Sequence, residues 1–129
     1  MVMNMETSLH FYVNGLGFEI KTKWEPGDKI EWCCLELGNA SLMLQEYREN
    51  PFAQKRGEGV SIYFICEDAL SIYVEINSRG LLPGEPFVGN GLWVVPIKDP
   101  DGYHIFFESP TDVPEETMYS DWVRTTNSN

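Results

Sequence analysis

A chain of 129 residues, 43% hydrophobic and 13% aromatic, is long enough to bury a core of its own and too apolar to be a disordered segment. Its 20 acidic against 9 basic residues leave a formal charge of −11, which repels a phosphate backbone and argues against nucleic acid as a partner. The start, MVMNMETSLH, has no basic segment, and the longest apolar run, IYFIC at 62–66, is far shorter than a bilayer requires, so a cytoplasmic protein with no membrane partner is expected.

Taken in chain order, Thr7 or Ser8 caps a helix whose apolar stripe is Leu9, Tyr12 and Val13 and which ends at NGLG, 14–17. Three extended stretches follow, GFEIKTKW (17–24), IEWCCLEL (30–37) and ASLMLQEY (40–47), divided by the turn formers EPGD and GN. Trp24, Trp32, Cys33 and Cys34 mark them as half-buried. The polar stretch 48–59 reads as a linker. A strand, VSIYFIC (60–66), opens a second series: a helix after CED with the stripe Leu70, Tyr73 and Val74, ending at NSRG, then LLPGEPFV (81–88), GLWVVPI (91–97) and YHIFFES (103–109), with turns at GN and DPDG. In the tail, Thr111 or Asp112 caps a third helix, with Pro114, Glu115 and Glu116 in its first turn; Met118, Tyr119 and Trp122 can cover a cavity, a partner or the chain's own domain. The final TNSN is expected to fray.

The two series repeat each other. Tyr12 and Tyr73, and likewise Trp32 and Trp93, are 61 residues apart, while Gly38 and Gly102 are 64 apart. This predicts a single domain over 1–129: module one at 1–47, the linker at 48–59, module two at 60–110 and a helical tail at 111–129. The first strand of module one is expected only as a stub, because the partner of Ser61 falls before Met1. Three cysteines are an odd number, and the neighbours Cys33 and Cys34 point to opposite faces of a strand, so all are read as reduced, buried side chains.

FYVNGLGF near the first helix and DPDGY before the last strand, set within this duplication, resemble the vicinal oxygen chelate superfamily, which includes glyoxalase I, extradiol dioxygenases, fosfomycin resistance enzymes and bleomycin resistance proteins. The resemblance spans residues 2–110. It implies an α+β fold of two tandem βαβββ modules forming a curved mixed sheet around a cavity, often as a dimer. In metal-dependent members the ligands come from the first and last strands of each module. The matching positions here are Ser61, Phe106 and Leu42, with no residue at the fourth, and none is a suitable donor. His104 and Glu108 flank Phe106, but strand neighbours four apart lie about 13 Å from one another. To hold an ion they need partners such as Glu36 or Glu46.

Alternation puts Ser61, Tyr63 and Ile65 on one face, and His104, Phe106 and Glu108 on one face. The resemblance orients Ser61 and Phe106 inward, and the duplication adds Ala40, Leu42 and Leu44. The directions of Trp32 and Trp93 stay open. The candidate ligand-binding residues are thus Trp32, Leu42, Ser61, Tyr63, Trp93, His104, Phe106 and Glu108, with no metal and no cofactor. The expected function is metal-free binding of a small molecule, an aromatic or cationic compound, by a homodimer, as in sequestration by bleomycin resistance proteins. The alternative is a metal-dependent lyase, isomerase or dioxygenase with rearranged ligands. A metal-free catalyst with His104 or Tyr63 as general base and Glu108 as its orienter is a further reading of the same residues. A third class is a regulatory or partner-binding subunit, for which the C-terminal tail is the only sequence feature.

Overall fold

The computed structural model describes residues 1–46 and 60–126; the expected linker 48–59 and the last three residues lie outside them. The chain divides into two compact units, the first made of 1–60 with 99–103, the second of 61–98 with 104–129.

In the first unit, α1 (Met5–Leu9) continues as a π-helical turn (His10–Gly15), and β1 (Glu19–Trp24), β2 (Trp32–Leu37) and β3 (Ala40–Gln45) form an antiparallel sheet in the order β1-β2-β3. The helix starts earlier than Thr7 or Ser8. Asn4 is its cap, accepting a hydrogen bond from the Thr7 N–H at 2.9 Å, because the Glu46 carboxylate at the end of β3 accepts the Met5 N–H at 2.7 Å and fixes the first turn there. The stub is present as one parallel bridge, Val2 to Glu46, with the Val2 N–H donated to the Gln45 carbonyl at 2.8 Å.

Cys33, Leu35 and Leu44 are buried on one face of this sheet, with Cys33 Sγ 3.9 Å from Met5 Sδ. Strand β1 departs from expectation. All six of its residues are exposed and Trp24 is 52% exposed; the buried pair of this sheet, Cys33 with Leu44, lies between β2 and β3.

The second unit holds β4 (Ser61–Ile65), α2 (Ala69–Ser78), β5 (Phe87–Gly89), β6 (Leu92–Lys98), β7 (His104–Pro110) and α3 (Tyr119–Thr126). Its mixed sheet runs β4-β7-β6-β5, with β4 parallel to β7 and the other pairs antiparallel. Asp68 caps α2 through the Ser71 N–H at 3.1 Å, and Gly80 takes φ 90° just past its end. The buried residues of α2 are Ala69 and Ile76, whereas Val74, placed in the stripe by the sequence pattern, is 57% exposed.

Two further expectations give way. The stretch 81–86 is not a strand: Pro83 and Pro86 have no N–H to pair, and Gly84 passes so close to β6 that a Cβ there would sit 2.9 Å from Pro96 Cγ. The tail helix begins at Tyr119 rather than after Thr111 or Asp112. The preceding backbone is committed to β5 instead, through the Val88 N–H to the Thr117 carbonyl, the Glu116 N–H to the Val88 carbonyl, and a bridge between Phe87 and Met118. The helix then docks on its own unit, Trp122 against Trp93 at 5.5 Å between ring centroids and Tyr119 against Tyr73 at 5.0 Å.

The duplication is visible in hydrogen bonding. Ala69 donates its N–H to Ser109 Oγ at 2.8 Å, as Met5 does to Glu46, so in each unit a side chain at the end of the last strand receives the first N–H of the helix. Both N–H groups are on buried residues. An orphaned buried N–H costs about 1–3 kcal/mol, so Ser109→Ala should lower the unfolding free energy by that amount in urea denaturation, while the exposed Ser71→Ala should cost less than half of it.

The DPDGY turn is built on Asp99. This carboxylate is 6% exposed and accepts from Tyr12 Oη at 2.8 Å and from the Asp101 and Tyr103 N–H groups, both at 2.9 Å. Burial raises its pKa, opposed by those three bonds, and burial beside Asp99 also raises that of the Tyr12 hydroxyl. Glu46 has the opposite sign: burial raises it, but the bonds from Lys29 and the Met5 N–H outweigh burial and hold it below the usual carboxylate value. Glu46 therefore contributes stability that is present above its unfolded pKa of about 4.3 and lost as pH falls through its lower folded value. Asp99 favours the folded state below its unfolded pKa of about 3.9, and that contribution is lost as pH rises through its higher folded value. Urea midpoints followed from pH 3 to 7 should show a shallower acid limb in Glu46→Gln and a smaller decline toward neutrality in Asp99→Asn; parallel curves for all three proteins would contradict both assignments.

Candidate functional site

The second sheet has two unlike faces. Alternation sends Ile105, Phe107 and Ser109 to one side, where they pair with Ile97, Val95 and Trp93 of β6; all six are buried, and α2 and α3 pack there. His104, Phe106 and Glu108 go to the other side. The parallel register of β4 sets Ser61 beside His104, Tyr63 beside Phe106 and Ile65 beside Glu108, and the antiparallel register of β6 sets Lys98, Pro96 and Val94 against the same three.

This second face mixes apolar and polar side chains and is open along β4, closing toward β6, where Val94 is buried. Tyr63 is 57% and Ile65 68% exposed, while Phe106 and Glu108 are half-buried. The Tyr63 and Phe106 rings stack with centroids 5.0 Å apart and planes 17° from parallel, and the His104 imidazole lies parallel to Phe106 at 6.4 Å. Adjacent strands lie about 4.8 Å apart, so directly paired aromatics can stack without distorting the sheet. The result is a cluster of parallel rings with Glu108 in the row on one side and Lys98 in the row on the other.

Five of the eight expected residues, Ser61, Tyr63, His104, Phe106 and Glu108, share this face. Trp93 does not. It lies on the buried face, against Tyr119 and Trp122. Leu42 also sits on the wrong side: it pairs with Leu35 on the face of the first sheet that carries Cys33 and Leu44, as does Ala40 through Leu37. The residues on the outer face there are Ser41, Met43 and Gln45, opposite Glu36, Cys34 and Trp32. Trp32 therefore keeps an outward orientation, paired with Trp24 and half-buried.

The physical reason is a register slip between the modules. A two-residue turn closes the first hairpin on the pair Leu37 and Ala40, whereas a five-residue turn closes the second on Lys98 and His104. Aligning the modules on their turns thus exchanges the faces, because a shift of one residue reverses every side chain in a strand. The helix-start hydrogen bonds give the correct correspondence, Glu46 with Ser109, which pairs Met43 with Phe106. Alignment on the turns therefore put Leu42 in the place of Met43, which is 67% exposed, while Lys98 and Pro96 join the open face of the second sheet through the pairing of β6 with β7, which alternation within one strand does not give.

The family's metal chemistry can be tested against these side chains. Among the described residues no group of three or more His, Cys, Asp or Glu is placed to hold an ion. The Ser61 hydroxyl and the Phe106 ring flank His104 and Glu108, and the carboxylates named as substitutes are engaged elsewhere: Glu46 with Lys29 and the Met5 N–H, Glu36 with Lys21 at 3.7 Å. These residues do not fit a resident metal. The Cys33 and Cys66 thiols are poor nucleophiles. Cys33 is fully buried, Cys66 Sγ contacts the Glu108 carbonyl at 3.5 Å, and burial raises both pKa values.

Among the described residues no helix is long and apolar enough to cross a membrane. Comparison with curated proteins finds no significant match. Solved structures share the fold. TnmS3, an antibiotic binding protein from Streptomyces sp. CB03234, is 22% identical with a TM-score of 0.68, over 85% of this chain and 89% of that one. TioX from Micromonospora sp. ML1 is 14% identical with a TM-score of 0.66, over 88% and 93%. A glyoxalase/bleomycin resistance protein/dioxygenase from Nocardioides is 14% identical with a TM-score of 0.63, over 88% and 81%. Residues 1–107 match the family model of the Glyoxalase/Bleomycin resistance protein/Dioxygenase superfamily, and the chain belongs to that superfamily.

Proposed function

We propose that this protein binds, without a metal and without chemistry, a planar aromatic compound carrying positive charge, and sequesters it on the open face of the second sheet. The observation that carries this reading is the stack of Tyr63, Phe106 and His104 beside Glu108, with Tyr63 and His104 exposed. Exposed aromatic rings with few rotatable bonds offer an aromatic ligand contact at little entropic cost, and a nearby carboxylate complements a cation. The net charge of −11 raises the local concentration of cations. A neighbour in fold, TnmS3, is an antibiotic binding protein, which supports a binding role for this scaffold without specifying the ligand. A lyase, isomerase or dioxygenase of the metal-dependent kind would need donors that Ser61 and Phe106 do not provide.

Equilibrium titration with metal-free bleomycin and with planar aromatic antibiotics bearing an amine should give at least one dissociation constant well below millimolar. Phe106→Ala should weaken that complex by roughly 5- to 30-fold, the equivalent of about 1–2 kcal/mol. No dissociation constant below millimolar anywhere in the series would remove the proposal.

We further propose that the working form is a homodimer. Among the described residues the outer edge of β3 is met at its end alone, by the Val2 bridge, and an open strand edge is a surface that proteins cover or keep short. Light scattering at micromolar concentration should return the mass of two chains; a monomer would count against the dimer and leave the binding reading standing.

A further inference from the structure

The open face of the second sheet is ordered by charge as well as by shape. Three rows cross β4, β7 and β6 in register: Ser61, His104 and Lys98; then Tyr63, Phe106 and Pro96; then Ile65, Glu108 and Val94. Successive rows are two residues apart along each strand, about 7 Å, so the first and third are separated by about 13 Å. The first row has a lysine ammonium, an imidazole and a hydroxyl, all exposed and all able to donate hydrogen bonds. The middle row has the stacked rings and the proline, with no charge. The third has one charged group, the half-buried Glu108, between two aliphatic side chains.

We infer that this face selects amphoteric ligands: a planar aromatic core on Tyr63 and Phe106, an anionic group such as a carboxylate at the row of Ser61, His104 and Lys98, and an amine at Glu108. The inference rests on the binding role proposed above and narrows its ligand class. A purely cationic ligand gains Glu108 but meets Lys98 as a like charge. A purely anionic one gains Lys98 but is repelled by Glu108 and by the protein's excess of acidic residues. Only a molecule with both charges, separated by the width of a fused-ring core, satisfies both ends at once. The ordering also fixes the orientation of the ligand, with its amine toward the Pro110 end of β7 and its anion toward the His104 end.

Three anthracenes test it against the full chain at pH 7 and low salt: 2-(aminomethyl)anthracene, anthracene-2-carboxylate and 6-(aminomethyl)anthracene-2-carboxylate, whose ammonium and carboxylate stand at opposite ends of the ring system, followed by calorimetry or fluorescence. The amino-carboxylate should bind about tenfold or more tightly than either singly charged compound. Lys98→Met should bring it to the level of 2-(aminomethyl)anthracene and leave that compound within about twofold of its own value, and Glu108→Gln should do the converse, equalising it with the carboxylate. Because Lys98 is exposed, unchanged melting of its variant is expected and separates recognition from folding. Binding of all three compounds with no dependence on Lys98 or Glu108 overturns the charge ordering alone. Failure of all three to bind the unaltered protein overturns the ordering together with the binding role on which it rests.

Discussion

The period of two along a β-strand is the constraint on which the site depends. Each sheet has one face of buried side chains and one of side chains that the helices do not cover, and pairing register decides which residues land on which. In β7 the buried series is Ile105, Phe107 and Ser109, so His104, Phe106 and Glu108 have nowhere to go but the open face. The same rule takes Trp93 out of the site and keeps Trp32 outward, although the two tryptophans look equivalent in the duplicated sequence.

Buried polar contacts hold this arrangement in place. The first N–H of each helix needs an acceptor, and Glu46 and Ser109 supply it from the last strand of each unit, tying helix to sheet at one defined point. Asp99 performs a related task in the DPDGY turn, where one carboxylate satisfies two turn N–H groups and the Tyr12 hydroxyl. These groups are costly to bury unless paired, so each acts as a register pin: a slipped strand would leave it without its partner.

The superfamily joins metal enzymes and binding proteins on one scaffold, and membership alone does not choose between them. The choice lies in side chains. Here the positions that the resemblance assigns to donors hold a phenyl ring and a hydroxyl, and Glu36 and Glu46 are engaged with lysines or with a helix N–H. What remains on the open face is aromatic surface with charge at two ends, which supports the binding role proposed above.

Much of the fold was legible in the residues themselves. Apolar spacing, the turn formers and the repeated order of elements placed both modules, the N-terminal stub and the second helix, because these follow from local geometry and from alternation within each strand. The grouping of Ser61 and Tyr63, and of His104, Phe106 and Glu108, was likewise readable one strand at a time. Relations between strands and between modules were not. The face of Leu42, the exposure of Trp24, the commitment of residues 116–118 to β5 and the companionship of Lys98 with His104 depend on pairing partners far away in the chain. A turn of two residues against a turn of five was enough to reverse one module's faces relative to the other, and only the hydrogen-bonded register of the assembled sheets decided it.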